Sequence, residues 1–532
     1  MTARTRLRPL MLQAISVLAL LAAATAPGAE TILRRGTAAD APTLDPAIAS
    51  SGVAAPIIND LFEGLLGKSP TLEPIPGVAE SWTVSKDRRT YTFKLRASLK
   101  WSDGAPITAD DVVYGYRRLM DPATASMVSG QFYILKNGRD VVLGKLPPEK
   151  LGVRALDART VEMQLVEPAP YFIELVATYP LAPVPRHAIE QLGKDWTRPG
   201  KMVSNGAYVL AERIPQTVTR LKKNPYFHDA ASVRTEIVEW HPTQDLGTSL
   251  RRYRAGELDQ ILNFPPEEID RLQKEMPQAL KITRTRGAYY LVVNVREPPL
   301  NDRRVRRALS LAIDREAIAS RLLDTGMAPA TMFIGPDFSH YESPTLSADT
   351  WSLPQRQARA RELLKAAGYG PGKPLKFEYT YDTNEENRKI AIALAAMWQA
   401  VGVQASTVNV QFGQLMRQVR TGGFQMARWA MFASYDDPIA LLQLYTSDNT
   451  GNYMGYHNPA YDQLLHDSAL EENVAARAAV LGRAESLLMQ DAPIIPIYYY
   501  ARRYLVSPKV QGWETSGRGP TPSRYLYVDR GS

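Results

Sequence analysis

The sequence contains no cysteine among its 532 residues. Disulfide bonds, zinc–thiolate sites, iron–sulfur clusters, thiol catalysis and a lipoprotein anchor on cysteine are therefore excluded. Histidine is also scarce, with six residues, and no two of them have the spacing of a metal site on a helix or a strand. The sequence therefore predicts neither a metal site nor a cofactor.

Catalytic motifs are missing as well. No G-x-S-x-G nucleophile elbow, H-E-x-x-H zinc motif or Walker loop is present. Two pairs of adjacent acids, Asp110-Asp111 and Asp436-Asp437, could serve acid–base hydrolysis. Each pair also fits the first turn of a helix, after Thr108 and before Pro438. We therefore favour structural roles for both pairs and predict no catalytic residues.

Length and charge limit the class of protein further. A chain of this length with 45% hydrophobic and 22% charged residues has the composition of a folded protein with two or three lobes. The net charge of +8 is small for 532 residues. The densest basic cluster opens an amphipathic helix and is expected to face solvent; it comprises Arg303, Arg304, Arg306 and Arg307. No nucleic-acid partner is predicted.

The amino terminus has the pattern of a secretory signal peptide over residues 1–29. Three arginines precede an apolar run at residues 10–24, and small residues follow. A permanent membrane anchor would need about 20 consecutive apolar residues, more than this run supplies. Cleavage is expected after Ala26 or Ala29, and loss of the three arginines lowers the net charge from +8 to +5. The mature protein is predicted to be soluble and exported.

The order of hydrophobic patterns indicates an α/β fold. Residues 91–95 alternate strictly between apolar and polar side chains, as in a half-buried strand. After a β-prone run at residues 289–294, predicted helices alternate with predicted strands. The helices are predicted over residues 305–323, 355–367 and 388–401, and the strands over residues 376–381, 403–408 and 494–500. An earlier helix is predicted to end with residues 60–66.

Aromatic residues concentrate in a few places without catalytic residues beside them. Tyr289-Tyr290 and the three tyrosines at residues 498–500 lie in predicted strands, and Trp429 and Phe432 lie close together in the chain. Such groups usually belong to a hydrophobic core. Tyrosines on strands also suit a ligand cleft, because each hydroxyl can donate a hydrogen bond. Both interpretations are open at this point.

Six short motifs occur in a characteristic order along the chain. They are Asp60-Leu61-Phe62-Glu63-Gly64-Leu65, Gly77-Val78-Ala79-Glu80-Ser81-Trp82, Lys100-Trp101-Ser102-Asp103-Gly104, Asn205-Gly206-Ala207-Tyr208, Pro299-Leu300-Asn301-Asp302-Arg303-Arg304-Val305-Arg306 and Ile495-Pro496-Ile497-Tyr498-Tyr499-Tyr500. In this order and spacing they resemble the periplasmic oligopeptide-binding proteins of bacterial ABC importers (extracytoplasmic solute-binding protein family 5). The resemblance covers essentially the whole mature chain, although none of the motifs would be specific alone.

The resemblance implies an α/β fold of the periplasmic-binding-protein type, with two main lobes joined by a hinge and one additional lobe. Lobe I would comprise residues 30–62, 185–286 and 502–532, lobe II residues 63–184, and lobe III residues 287–501. The lobes would close over an extended peptide, whose backbone pairs with strands of the protein while roomy pockets accept its side chains. The loaded protein, a monomer, would deliver its solute to an inner-membrane permease with ATPase subunits.

The resemblance extends unevenly to the residues that hold the ligand. In the peptide-binding members, an aspartate shortly after a lobe III arginine pairs with the α-ammonium of the peptide. Here the arginine is Arg428, but Ser434 stands at the position of the aspartate. A buried ammonium without its carboxylate costs about 3–5 kcal/mol. Two further positions, where cationic or imidazole side chains can meet a peptide carboxylate, hold Leu323 and Asn387.

Two hypotheses about the ligand follow. Asp436 lies two residues after Ser434 and would face the same side of an extended segment, so it could bind the amine instead. Alternatively, the ligand has no free amine there and is a blocked or cell-wall peptide, or a non-peptide solute held partly by Arg428. A peptide or peptide-like ligand is favoured, because the tyrosine strands and Arg428 are present. The predicted ligand-binding residues are Arg428, Trp429, Phe432, Ser434, Asp436, Tyr289, Tyr290, Tyr498, Tyr500 and Ser50.

Two other classes of function are compatible with the composition. A secreted hydrolase with a catalytic acid pair would turn its substrate over, whereas a binding protein returns its ligand intact. A periplasmic chaperone or scaffold would expose apolar patches and would not enclose a ligand. Because nucleophile and metal motifs are missing, we favour a solute-binding protein over an enzyme.

Overall fold

The structure, a computed structural model, describes residues 31–323, 325–449 and 451–529. The predicted signal peptide and both candidate cleavage positions lie outside these residues. Helices and strands alternate along most of the described chain, which confirms the predicted α/β class.

The strands and helices have the following bounds. The strands are β1 (Ile32–Thr37), β2 (Leu66–Lys68), β3 (Pro74–Pro76), β4 (Ala79–Val84), β5 (Thr90–Leu95), β6 (Val153–Asp157), β7 (Thr160–Gln164), β8 (Tyr208–Ile214), β9 (Val218–Lys223), β10 (Ile237–Pro242), β11 (Gln260–Ile261), β12 (Leu280–Val293), β13 (Ala328–Pro329), β14 (Leu375–Asp382), β15 (Val403–Val410), β16 (Met426–Phe432), β17 (Ile494–Val506), β18 (Val510–Gln511) and β19 (Tyr527–Val528). The helices are α1 (Ala54–Leu61), α2 (Ala109–Met120), α3 (Gly138–Val142), α4 (Phe172–Val176), α5 (Arg186–Leu192), α6 (Leu246–Arg254), α7 (Ile269–Glu275), α8 (Arg303–Leu311), α9 (Leu353–Ala366), α10 (Glu385–Gln399), α11 (Phe412–Thr421), α12 (Ile439–Leu442), α13 (Pro459–Leu470) and α14 (Val474–Asp491).

One large sheet runs through the molecule in the strand order β15-β14-β16-β12-β17-β11-β1-β10-β9-β8. β14 pairs in parallel with β15 and β16, and β1 pairs in parallel with β10 and β11. The central strands β12 and β17 are antiparallel to each other and have 14 and 13 residues. Every path along the sheet between β16 and β11 therefore passes through β12 and β17.

The register of β12 with β17 shifts twice near the middle of the pair, and the second shift lies between Tyr289 and Tyr290. The first shift lies between Arg284 and Ala288, so that residues 280–284 pair with residues 501–505 and residues 288–292 pair with residues 494–499. On one side of the first shift, β11 pairs with residues 505–506 of β17. On the other side, β16 pairs with residues 287–293 of β12. Of the boundaries that the resemblance implies, the two between lobes I and III, after residues 286 and 501, lie beside the first shift.

A separate four-stranded sheet, β4-β5-β7-β6, is built from residues 79–164. Its strand β5 alternates between buried and less buried residues, as predicted for residues 91–95. α2 packs against this sheet and begins after Thr108, whose backbone N–H donates to Asp111 Oδ2 at 2.9 Å. The predicted helix start at Asp110-Asp111 is therefore confirmed.

Two predicted helices have wrong bounds. The helix expected to continue to Leu66 ends at Leu61, because the backbone of Phe62 is already extended. The helix expected over residues 305–323 is divided after Leu311, and a π-helical segment covers Ala317–Leu323. Asp314 accounts for the division, since its Oδ1 accepts from the N–H of Ala317 at 3.1 Å and starts a new helical segment.

The basic cluster on α8 is only partly solvated, which corrects the sequence prediction for one of its members. Arg306 is 6% exposed and donates from Nη1 to the carbonyl of Leu300 at 3.0 Å and from Nε to that of Asp491 at 2.9 Å. The other three arginines of the cluster are exposed. Arg306 therefore ties α8 to the end of α14 and is not part of a basic surface.

Neither a membrane-spanning helix nor a metal-binding cluster is found in the part of the chain that the structure describes. None of its helices is both long enough and apolar enough to cross a bilayer. Nowhere in these ranges do three or more His, Asp or Glu side chains form a group that could hold a metal ion.

Two buried residues of opposite charge, Arg35 and Asp60, fix the carboxyl-terminal segment to the large sheet through Ser523. Arg35 in β1 and Asp60 in α1 are 1% and 2% exposed, and both bind Ser523. Arg35 Nη1 donates to Ser523 Oγ at 2.7 Å, and the Ser523 N–H and hydroxyl donate to Asp60 at 3.0 and 2.6 Å. Burial lowers the pKa of Arg35 to about 10, although Asp60 opposes the shift. The charge of Asp60 therefore helps to keep Arg35 a cation inside the protein.

Replacing Asp60 by alanine should lower the free energy of unfolding by about 3–5 kcal/mol, because Arg35 would stay buried without its carboxylate. Urea denaturation of Asp60→Ala, compared with the exposed control Asp270→Ala, measures this loss. The double variant Arg35→Met/Asp60→Ala should recover much of it, since neither charge is then left unpaired. A loss below about 1 kcal/mol in Asp60→Ala would contradict the account.

Candidate ligand-binding cleft

Five of the predicted ligand-binding residues share one face of the large sheet. Tyr289 lies opposite Ala430 and Tyr498, and Arg428 lies opposite Leu291. Residues opposite each other in antiparallel strands point to the same face, and so do residues two apart within a strand. We call these five residues the aromatic face: Tyr289, Arg428, Phe432, Tyr498 and Tyr500.

The rings of the aromatic face contact one another in a continuous series. Tyr289 stacks on Tyr498 with ring centroids 4.8 Å apart, Tyr498 meets Tyr500 edge-on at 5.1 Å, and Phe432 lies 4.9 Å from Tyr500. Phe432 packs over Gly287, where a Cβ atom would collide with its ring, so this close approach requires glycine. Phe432 is still 48% exposed, and the face is therefore open to solvent at this end.

Arg428 lies in the middle of the aromatic face and is incompletely paired. Its Nη1 is 3.4 Å from Asp382 Oδ1, and its Nη2 donates to the Tyr500 hydroxyl at 3.3 Å. Its Nε is buried and has no hydrogen-bond partner among the described residues. Although burial opposes the charge, the oxygens of Tyr500, Tyr289 and Asp382 raise the pKa of Arg428. The guanidinium therefore stays charged and retains N–H groups that can donate to an anion.

The strand that carries Arg428 has a free edge. β16 pairs with β12 from Met426 to Phe432, but on its other side it pairs with β14 only at Met426 and Ala427. From Arg428 to Phe432, this second edge has no strand partner within the described ranges. The backbone N–H and C=O groups of such an edge can pair with an added extended chain.

Ser434 lies just beyond β16, beside a cavity of about 70 Å³. Its hydroxyl donates to Gln131 Oε1 at 3.3 Å. The charged residues around the cavity are Lys68, Glu174, Arg286, Arg502 and Arg518. Glu174 is paired, since both of its carboxylate oxygens accept from Arg518 Nη1 at 2.9 and 3.1 Å. The cavity beside Ser434 is therefore positively charged and offers an amine no unpaired carboxylate.

Asp436, the candidate replacement for the amine-binding aspartate, is also paired. Its side chain is 2% exposed, with Arg286 Nε 3.0 Å from Oδ1 and Arg518 Nη2 2.6 Å from Oδ2. The N–H of Ser339 also donates to Oδ1 at 3.0 Å. Both carboxylate oxygens are therefore in use, and a ligand amine would have to displace an arginine to reach Asp436.

The second acid of this pair has a structural role. Asp437 accepts from Arg477 at 2.7 and 2.9 Å, and its Oδ1 accepts from the N–H of Ile439 at 3.0 Å. This bond lies in the first turn of α12, as the helix-start interpretation predicts. Because Asp436 and Asp437 are both ion-paired, neither is placed as a free acid or base.

Three predicted ligand-binding residues lie away from the aromatic face. Tyr290 points to the opposite side of the sheet, where it is 1% exposed and accepts from the Tyr445 hydroxyl at 2.9 Å. Trp429 is on that side as well, edge-on to Tyr453 at 6.4 Å. Ser50 lies between β1 and α1, and its hydroxyl is 3.8 Å from the Met127 sulfur. The structure does not bring these three residues together with the other candidates.

Asn387 and Leu323 stand at the two positions where the resemblance implies a side chain that meets a peptide carboxylate. Both side chains are uncharged, and their surroundings differ. Asn387 is buried at the start of α10 and donates from Nδ2 to Asp382 Oδ1 at 2.9 Å. It therefore shares the acid that lies beside Arg428. Leu323 packs against the hydrophobic core that contains Tyr289 and Tyr498.

Sequence reasoning missed the arginines around Ser434 and Asp436. Arg286, Arg502 and Arg518 stand at isolated positions without a motif. They meet because the carboxyl-terminal segment returns to the centre of the large sheet, where Arg502 Nη1 donates to the carbonyl of Arg518 at 3.4 Å. Nothing in the sequence indicates which residues these arginines pair with.

Asp436→Asn should lower the free energy of unfolding of the ligand-free protein by about 3 kcal/mol, because Arg286 and Arg518 would lose a buried carboxylate. Urea and thermal unfolding of this variant, with the exposed Asp270→Asn as control, measure the change. Unaltered stability together with lost peptide binding would contradict this account and would favour a direct bond between Asp436 and a ligand amine.

Comparison with known proteins identifies the family. The family described as "Bacterial extracellular solute-binding proteins, family 5 Middle" matches residues 73–453. The periplasmic murein peptide-binding protein MppA of Escherichia coli (strain K12) is 38% identical over 491 residues, which cover 91% of each chain. A solved structure of the Escherichia coli murein tripeptide binding protein MppA aligns with a TM-score of 0.82 and 36% identity, over 94% of this chain and 99% of that one.

Two further relatives differ in the ligand that their names record. The periplasmic oligopeptide-binding protein OppA of Salmonella typhimurium is 36% identical over 498 residues, 93% of this chain and 91% of that one. The probable deoxycholate-binding periplasmic protein YgiS of Escherichia coli (strain K12) is 35% identical over 502 residues, 94% of this chain and 92% of that one. The family match and the relatives span most of the chain, which therefore belongs to the bacterial extracellular solute-binding proteins of family 5.

Proposed function

We propose that the protein is the periplasmic solute-binding component of an ABC importer and that its solute is a peptide or peptide-like molecule. The observation that carries this proposal is the free edge of β16 beside the aromatic face. A peptide laid on this edge would pair its backbone with residues 428–432 and place alternate side chains over the face. The peptide-binding relatives MppA and OppA support the same class of ligand.

The proposed mechanism is closure of three lobes around the peptide. Lobe I comprises residues 30–62, 185–286 and 502–532, lobe II residues 63–184, and lobe III residues 287–501. Lobes I and III contain the two halves of the large sheet and would bend at the first register shift of β12 and β17. Contacts between lobes II and III support this arrangement: Ser434 bonds to Gln131, and Tyr435 stacks on Tyr171 with centroids 5.1 Å apart.

The charges of the cleft favour one end of the peptide over the other. Closure removes a charged terminus from water, so each terminus needs a partner in the cleft. Arg428 has N–H groups to donate to a carboxylate. Near Ser434, Glu174 and Asp436 are already bound to arginines, so an amine would meet only hydroxyl and carbonyl oxygens. We therefore assign the larger share of binding energy to the carboxylate.

The proposed cycle returns the ligand intact. The predicted signal peptide supports export to the periplasm, where the protein would act as a monomer and pass its ligand to an inner-membrane permease with ATPase subunits. The pairing of Asp436 and Asp437 with arginines supports binding and not hydrolysis, since a general acid or base needs a proton-exchanging group within reach of the substrate.

Amidation of a peptide's carboxylate should weaken binding about 10-fold or more, whereas acetylation of its amine should weaken it less than about 5-fold. The reason is that a hydrogen bond to a charged group contributes about 1.5–3 kcal/mol, and only the carboxylate has a free charged partner. Isothermal titration calorimetry with oligo-alanines of two to five residues, in all three forms, measures both effects.

Arg428→Met should remove most of the difference between free and amidated peptides, while the exposed control Arg420→Met should retain it. If acetylation has the larger effect, the amine is the main anchor and the proposed polarity of the cleft is wrong. If none of the peptides binds, the peptide-binding function itself is contradicted.

A further inference from the structure

The cavity beside Ser434 is surrounded by more positive than negative charge. Its volume of about 70 Å³ is room for a few water molecules or for one carboxylate group. One of the described residues that line it is an acid, Glu174, and a second acid, Asp436, lies next to the lining, bound to Arg286 and Arg518. Four cations against two acids leave a net positive charge; these cations are Lys68, Arg286, Arg502 and Arg518.

Two of the four cations lack a carboxylate partner. Arg286 and Arg518 form ion pairs with the two acids. Lys68 and Arg502 are half-buried, and neither forms an ion pair of 4.0 Å or less with an acid that the structure describes. Burial lowers the pKa of Lys68 to about 8, a shift that Glu174 opposes and Arg518 reinforces. An anion in the cavity would therefore stabilise the charged form of Lys68.

The cavity lies where the aromatic face and the free edge of β16 end. Phe432 is the last residue of β16, belongs to the aromatic face and also lines the cavity. Arg502 follows Tyr500 by two residues in β17, so its side chain continues the same face. An extended peptide that runs along the free edge from Arg428 past Phe432 would therefore place its end at the cavity.

The lining of the cavity comes from all three proposed lobes. Lys68 and Glu174 belong to lobe II, Arg502 and Arg518 to lobe I, and Ser434 to lobe III. Closure of the lobes would remove a group in the cavity from water, and charges interact more strongly where water is excluded. The cavity is therefore part of the proposed cleft and not a separate pocket on the surface.

We propose that Lys68 and Arg502 are specificity-determining residues that bind an anionic group at the amine end of the ligand. The proposal rests on the proposed function, in which Arg428 binds the terminal carboxylate at the other end of the free edge, and it narrows the class of ligand. That class is a peptide whose amine is blocked by an acyl group with an acid of its own, or a peptide-like molecule with an acid in the same place. A free ammonium would be repelled by the net positive charge around the cavity.

The experiment uses oligo-alanines of two to six residues with a free terminal carboxylate, so that some lengths reach from Arg428 to the cavity. Their amine is blocked by a succinyl group, which ends in a carboxylate, or by a succinamoyl group, which has nearly the same shape but ends in a neutral amide. Isothermal titration calorimetry compares the two forms in the wild-type protein, in Lys68→Met and in Arg502→Met. Lys86→Met and Arg420→Met, at exposed positions, are the matched controls.

We expect the wild-type protein to bind the succinyl form of at least one peptide about 10-fold or more tightly than the succinamoyl form, since an ionised acceptor makes the stronger hydrogen bonds. Lys68→Met and Arg502→Met should each lower this ratio to about 3-fold or less, and both controls should retain it. Equal binding of the two forms by the wild-type protein, or an unchanged ratio in either variant, would overturn the proposal while the peptide-binding function stands. If the wild-type protein binds neither these peptides nor oligo-alanines with a free amine, both proposals fail.

Two further measurements separate ligand binding from a structural role. Lys68→Arg retains a cation and should keep most of the preference for the succinyl form. Without ligand, Lys68→Met should not lower the Tm, because the repulsion between Lys68 and Arg518 has been removed. A lowered Tm together with an equal loss of affinity for both forms would show a structural role and contradict the assignment of Lys68.

Discussion

The antiparallel pairing of β12 with β17 is the interaction on which the rest of the structure depends. These strands link the two halves of the large sheet, and the sheet path from β16 to β11 passes through both. Their register shift next to Gly287 provides a point at which the sheet can bend. The same strands carry Tyr289, Tyr498 and Tyr500 alongside β16. One strand pair therefore connects the proposed lobes and forms a wall of the cleft.

Buried arginines fall into two groups that have different roles. Arg35 and Arg518 have close hydrogen-bond partners for their guanidinium groups and hold segments of the chain together. Arg428 is half-buried and Arg503 is buried, and each has N–H groups without partners in the described structure. A folded chain gains nothing from an unpaired guanidinium, since its desolvation is not offset. Under the proposed function, Arg428 would bind an anionic part of the solute.

Local patterns predicted much of the fold but less of the cleft. The alternation in β5, the first turn of α2 and the order of the six motifs were sufficient for the fold class and the family. Tyr290 was grouped with Tyr289, although adjacent residues of a strand face opposite sides. The pairing of Asp436 with Arg518, 82 positions away, could not be predicted, because it depends on the tertiary path of the carboxyl-terminal segment.

Mass spectrometry of the naturally loaded protein tests the central claim most directly. The full chain would be secreted by a bacterium, purified from the periplasm without denaturant, and measured first in its native state and then after denaturation. The account predicts a series of bound species whose fragment masses differ by amino-acid residues. A single bound species that contains no amino-acid residues would contradict it.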